Sequence, residues 1–120
     1  MENILIVAFD SQTRNLAHGV LRTAYTNAVI VHAHHGTALK IIEAHRVHGR
    51  KFNLVIIDVQ MPQVDGVQLV EAITKNHPDI FVILMSSTSE PKDHKAHALV
   101  QKPIGTGRLL ATINRLMEKP

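Results

Sequence analysis

The unbroken apolar run Leu54-Val55-Ile56-Ile57, followed at once by Asp58, constrains the fold of this chain more than any other feature. A strand that is apolar at every position buries both of its faces, which requires a sheet covered by helices on both sides. Asp58 then ends the run as a carboxylate lifted out of the core, and open α/β sheets place their chemistry just beyond the carboxyl ends of their strands. Met61-Pro62 cannot prolong the ladder, because proline has no backbone donor. Asp65-Gly66 opens the next helix, with Asp65 placed to cap it.

Strand and helix patterns alternate along the rest of the chain. Strands are expected at Ile4 to Phe9, Ala28 to Ala33, Leu54 to Asp58, Ile80 to Met85 and, more weakly, Ala98 to Gln101. A helix from Ser11 or Gln12 to about Tyr25 carries Leu16, Val20, Leu21 and Ala24 at helical spacing. A second, Thr37 to about His48, sets Ala38, Ile41, Ile42 and His45 on one face and stops at Gly49. Val67 to Asn76 forms a third, ended before Pro78, and Leu109 to Met117 belongs to a last one with Leu109, Leu110, Ile113 and Leu116 inward. This order predicts one α/β domain over residues 1–120, a doubly wound five-stranded parallel sheet with helices on both faces.

Composition narrows the function. The chain has no cysteine, which excludes a disulfide scaffold and a thiolate metal site. No apolar run approaches the roughly 20 residues that span a bilayer, and no signal-peptide pattern opens the chain, so a cytoplasmic location without membrane contact is expected. The net charge is +3, but the positive residues are scattered, with Arg46, Arg50 and Lys51 as the one dense cluster. Aromatic interleaving of the kind single-strand binders use for stacking is missing, so direct nucleic-acid binding is not expected. No Gly-rich phosphate loop follows the first strand, which argues against a nucleotide-binding enzyme of this fold class.

The segment Asp58-Val59-Gln60-Met61-Pro62-Gln63-Val64-Asp65-Gly66 resembles the phosphoacceptor loop of the response regulator receiver domains of two-component signalling. Asp58, Met61, Pro62, Asp65 and Gly66 match the family's fixed positions, and the order of elements extends the resemblance over essentially the whole chain. The resemblance implies a flavodoxin-like sheet of strand order 2-1-3-4-5. It also implies a signalling phosphoacceptor that at most catalyses its own phosphotransfer and dephosphorylation. Asp58 would be the phosphoacceptor. Mg²⁺ would be held by Asp58, by the backbone carbonyl of Gln60 and by an acidic residue after the first strand. Ser86, ending Ile83-Leu84-Met85, would contact the phosphoryl group, and Lys102 of Lys102-Pro103 would reach its oxygens, next to a bond that is usually cis in the family. The implied partners are a sensor histidine kinase or phosphotransfer protein, an output domain beyond Pro120, and a second copy in a homodimer.

Three positions depart from that pattern. Where the family carries an acidic pair, this chain reads Ala8-Phe9-Asp10-Ser11. Asp10 aligns best with the second acid and Phe9 with the first; a one-residue shift would put Ala8 and Phe9 on both. With one carboxylate lost, Mg²⁺ affinity should fall, and Asp10 also suits the N-cap of the first helix. Ser86 and Lys102 are only 16 positions apart, so the fourth helix should be short, near Pro91, or missing. Leu99 replaces an aromatic that receivers often carry. These departures favour an alternative: a degenerate receiver that binds protein partners without phosphorylation. Of nine histidines, His32, His34 and His35 crowd the end of the second strand and His45 and His48 share a helix, spacings that could bind zinc or nickel. No cysteine or glutamate completes a set, and solvated or loosely packed histidines are expected.

Overall fold

Five strands pair in parallel in the computed structural model of the chain: β1 (Asn3–Val7), β2 (Val29–Ala33), β3 (Leu54–Asp58), β4 (Phe81–Ser86) and β5 (Ala98–Gln101), in the order β2-β1-β3-β4-β5. The helices are α1 (Ser11–Ala24), α2 (Ala38–Val47), α3 (Gly66–Asn76) and α4 (Thr106–Glu118). The structure describes residues 2–61, 64–88 and 94–118, without the side chains of residues 61, 64 and 65. The expected doubly wound parallel sheet and its strand order are both present.

Period-two alternation along the strands builds two separate cores. Ile4, Ile6, Leu54, Ile56, Ile83 and Met85 face Ala17 and Leu21 of α1 and Leu109 and Ile113 of α4. Leu5, Val7, Val55, Ile57, Val82 and Leu84 face Ala38 and Ile42 of α2 and Val70 and Ile73 of α3. β3 is buried at all five positions, as its apolar run requires. At about 1.5–3 kcal/mol for each large apolar side chain taken out of water, these two layers dominate the favourable side of folding.

The element ends differ from expectation for local reasons. β1 stops at Val7, because Ala8 is still buried but Phe9 swings out, 65% exposed, as the chain turns toward α1. Leu16 is 47% exposed; α1 instead buries Thr13, Ala17, Val20 and Leu21, a stripe rotated from the one read in the sequence. α4 begins three residues before Leu109, at Thr106. Gln60–Met61 and Val64–Asp65 form a two-residue antiparallel pair, with Gln60 opposite Asp65, which the sequence did not indicate. Asp65 directly precedes α3, while its side chain, and with it the expected cap, lies outside the described residues. The helical piece expected near Pro91 also lies outside them; between β4 and β5 none of the described residues is helical.

Candidate functional site at the strand tips

Register brings the site together. β3 and β4 pair Asp58 with Met85, and β4 and β5 pair Ser86 with Gln101, so Asp58, Ser86 and Lys102 leave three adjacent strands at the same end. Two backbone bonds lock these tips. The Val59 N–H donates to the Met85 carbonyl at 2.9 Å, and the Lys102 N–H donates to the Ser86 carbonyl at 2.7 Å.

Asp58 is fully buried, not lifted out of the core as its place at the strand end suggested, because the tips of the neighbouring strands and Lys102 close over it. Its Oδ1 accepts from the Gln60 N–H at 3.0 Å, and Lys102 Nζ lies 3.0 Å from both carboxylate oxygens. A buried carboxylate is tolerated only when its charge is balanced and its lone pairs are used, and the ammonium and the amide meet both needs. The Lys102 side chain keeps 16% of its surface in solvent, so it covers the carboxylate from outside. The Lys102–Pro103 bond is cis, as the family resemblance implied. Ser86 is buried, and its Oγ accepts from the Thr88 N–H at 3.2 Å.

Asp10 serves α1 as its N-cap. Oδ1 accepts from the Gln12 N–H at 3.1 Å, while Oδ2 accepts from the Thr13 N–H at 3.4 Å and the Thr13 hydroxyl at 2.9 Å. The Thr13 hydroxyl, and after it the Gln12 N–H, hold the Asp10 carboxyl below the usual aspartate range. The Lys102 ammonium adds a smaller pull in the same direction, which sets Asp10 within electrostatic reach of the site. Asp10 is exposed and ionised, and Phe9 beside it offers no oxygen.

Three contributions were not read from the sequence. Gln60 Nε2 donates to Ser87 Oγ at 2.8 Å and ties the segment after β3 to the one after β4. Thr13 anchors Asp10, a role its place three residues beyond the cap could have signalled. Gly66 begins α3 pressed against the chain at Asp58: a Cβ there would lie 2.7 Å from Val59 Cα and 2.9 Å from the Asp58 carbonyl oxygen. Only glycine allows that approach.

A divalent cation would find oxygen donors alone here: the carboxylates of Asp58 and Asp10 and the Gln60 carbonyl. That set suits Mg²⁺, which takes one or two carboxylates and completes its shell with water and phosphate. Each carboxylate oxygen keeps lone pairs beyond those its present partners use. The donor types are those the ion takes, while Asp58 is held by Lys102 and Asp10 by the cap of α1. The histidines form no comparable set; among the described residues no group of three or more His, Cys, Asp or Glu could hold a metal. His45 packs on Phe52, and His18 Nδ1 lies 2.8 Å from His32 Nε2.

Fold and site together define an open, doubly wound α/β protein of flavodoxin type, with a buried carboxylate under an ammonium at its strand tips. The chain belongs to the response regulator receiver domain family, whose model matches residues 4–114. It is 34% identical over 89 residues to the sensor kinase CckA of Brucella abortus, covering 68% of this chain and 9% of that protein. The curated relatives are thus many times longer than this chain. Among solved structures, the two-component transcriptional regulator AraC of Clostridium phytofermentans shares 30% identity at a TM-score of 0.78, over 96% of this chain and 90% of that one. The CheX–CheY–BeF3–Mg²⁺ complex of Borrelia burgdorferi has the same fold, with a TM-score of 0.85 and 19% identity over 98% and 90% of the two chains. Among the described residues no helix is long and apolar enough to cross a membrane.

Proposed function

We propose that this receiver domain accepts a phosphoryl group on Asp58 from a phosphohistidine of a sensor kinase or phosphotransfer protein. The observation that carries this reading is the buried Asp58 carboxylate, bridged through both oxygens by Lys102 at 3.0 Å. A carboxylate oxygen attacks phosphorus, the N–P bond of the donor breaks, and its electron pair returns to the imidazole. Transfer replaces the carboxylate by an acyl phosphate carrying about −1.5 to −2 charge. Lys102 then turns from the carboxylate to the phosphoryl oxygens, which offer it more charge. The Ser86 hydroxyl donates to a phosphoryl oxygen, while its oxygen can go on accepting from the Thr88 N–H. Asp58, Asp10 and the Gln60 carbonyl would hold Mg²⁺, whose positive charge would offset that accumulating on the transferred group. Signalling follows from rearrangement of the segments after β3 and β4, which the Gln60–Ser87 bond couples. An output domain beyond Pro120, or a second copy of the chain, would read that change.

The test is incubation with Mg²⁺ and acetyl phosphate or beryllofluoride, followed by intact-mass analysis or amide NMR, with Asp58→Ala in parallel. An adduct on the wild type that the variant lacks supports the reading. No Asp58-dependent adduct at any Mg²⁺ concentration overturns it.

A second reading, a binding module that works without phosphorylation, is favoured by the exposed Phe9 where the family has an acid. Mg²⁺ titration separates the two. A dissociation constant far above the millimolar range, with no adduct, selects the second.

A further inference from the structure

On the other side of β1 from the acceptor carboxylate, a groove of about 1010 Å³ runs between the ends of β1 and β2 and the side of α2. Its floor is apolar, built from Ala8, Ala33, Ile41 and Ala44, with Phe9 at the end nearest the site. Its remaining walls carry Arg14 from α1, His32 from β2, His34 and His35 beyond it, and Lys40 from α2. Among the described residues no carboxylate lines it.

The two permanent cations are unspent. Neither the Arg14 guanidinium nor the Lys40 ammonium makes a hydrogen bond or ion pair with any described residue. His34 is held in place: its Nδ1 accepts from the Gly36 N–H at 3.1 Å, and its ring meets that of His35 edge to face. With Nδ1 engaged as an acceptor, the neutral ring carries its proton on Nε2 and remains a donor. His32 is fixed from the other side. Its Nε2 lies 2.8 Å from His18 Nδ1, shorter than the roughly 3.5 Å of a stacking contact, so the near-parallel rings lie side by side and share one proton. A held imidazole donor and two unpaired cations around an apolar floor describe a ligand site rather than a bare surface.

We propose that this groove binds a small amphipathic organic anion, its carboxylate, sulfonate or phosphate against Arg14, Lys40 and the His34 Nε2–H, and its apolar body on Ala33, Ile41 and Ala44. Charge complementarity selects the sign of the ligand, and the floor selects an organic body over an inorganic ion. The ligand reaches Phe9, two residues past the end of β1 and next to Asp10, so binding is placed to influence the acceptor site. The proposal does not depend on phosphorylation of Asp58.

The probe is the aryl sulfonate 1-anilinonaphthalene-8-sulfonate, titrated by fluorescence against the folded domain, with octanoate and octylamine as competitors. The expected result is saturable binding at one site, displacement by octanoate and not by octylamine, and amide shifts centred on Ala33, Lys40 and Ile41. Arg14→Glu with Lys40→Glu should weaken binding at least tenfold while far-UV circular dichroism stays unchanged. Arg14→Ala alone, a milder surface change, should weaken it several-fold. Equal displacement by octylamine, affinity unchanged in both variants, or shifts elsewhere would overturn the proposal. Displacement by an acidic peptide but not by octanoate would also overturn it, in favour of a protein partner.

Discussion

Lys102 Nζ lies 3.0 Å from Oδ1 and 3.0 Å from Oδ2 of Asp58, a carboxylate with no surface of its own in solvent. One ammonium therefore balances the charge of this carboxylate and shields it. The two roles make the pair asymmetric, since Lys102 can reach water and Asp58 cannot.

That asymmetry predicts unequal costs. Lys102→Met strands a buried carboxylate and should destabilise the fold by about 3–5 kcal/mol. Asp58→Asn leaves Lys102 a route to solvent and should cost much less. The double variant should recover most of the Lys102→Met loss. Urea unfolding of the three variants measures this; a double variant no better than Lys102→Met would contradict it.

Asp10 caps α1 and, in the proposed reading, also holds Mg²⁺, and one substitution separates these duties. Asparagine caps a helix about as well as aspartate but carries no charge. Asp10→Asn should leave the melting temperature nearly unchanged while weakening Mg²⁺ binding at least fivefold by calorimetry. Asp10→Ala should lose both, with about 1 kcal/mol of stability.

The Gly66 contact predicts a loss out of proportion to one methyl group. Gly66→Ala would place a carbon 2.7 Å from Val59 Cα, against backbone that cannot yield as a side chain can. The start of α3 or the segment after Asp58 must shift, at about 1–3 kcal/mol. Beryllofluoride adduct formation should fall at least tenfold, while an alanine at Gly107, where nothing lies near, should leave it unchanged.

His77 is buried just past α3, and neither ring nitrogen has a hydrogen-bond partner among the described residues. An unsatisfied buried polar group costs about 1–3 kcal/mol, and an apolar residue of similar size removes that cost. His77→Leu should raise stability by about 1 kcal/mol in urea. A loss of stability would show that the ring makes a polar contact in solution.

How far the chain could be read from its residues follows from the range of the interactions. β3 was legible to the residue, because a strand covered on both faces must be apolar throughout and Asp58 marks its end. Phe9 misled, since an apolar side chain after a strand reads as its continuation; here the turn toward the Asp10 cap takes it into solvent. Leu16 misled in the same way, because α1 buries a stripe containing Thr13, whose hydroxyl is spent on Asp10. The alignment of Asp58, Ser86 and Lys102 came from the family pattern, and strand register now accounts for it. The closeness of Gly66 to Val59 and the bond from Gln60 to Ser87 had no local signal. The second spans 27 residues and exists only once β3 and β4 pair.

Asp79 gives the acid response of the fold a measurable feature. Lys51 Nζ lies 2.9 Å from Oδ2 and an Arg46 nitrogen 3.1 Å from Oδ1, and the Lys51 contact first, then the Arg46 hydrogen bond, lowers this carboxyl from 3.8 to about 2. A carboxyl depressed in the folded state contributes stability in full above its unfolded value and loses it as pH falls through the folded one. The contribution should thus be whole above about pH 4 and vanish between pH 4 and 2. Asp79 is 39% exposed, so screening keeps it below about 1 kcal/mol. Asp79→Asn should flatten the stability curve between pH 4 and 2, and 1 M NaCl should shrink the difference from wild type. Equal slopes for the two proteins across that window would mean that the Lys51–Asp79–Arg46 cluster carries no net stability.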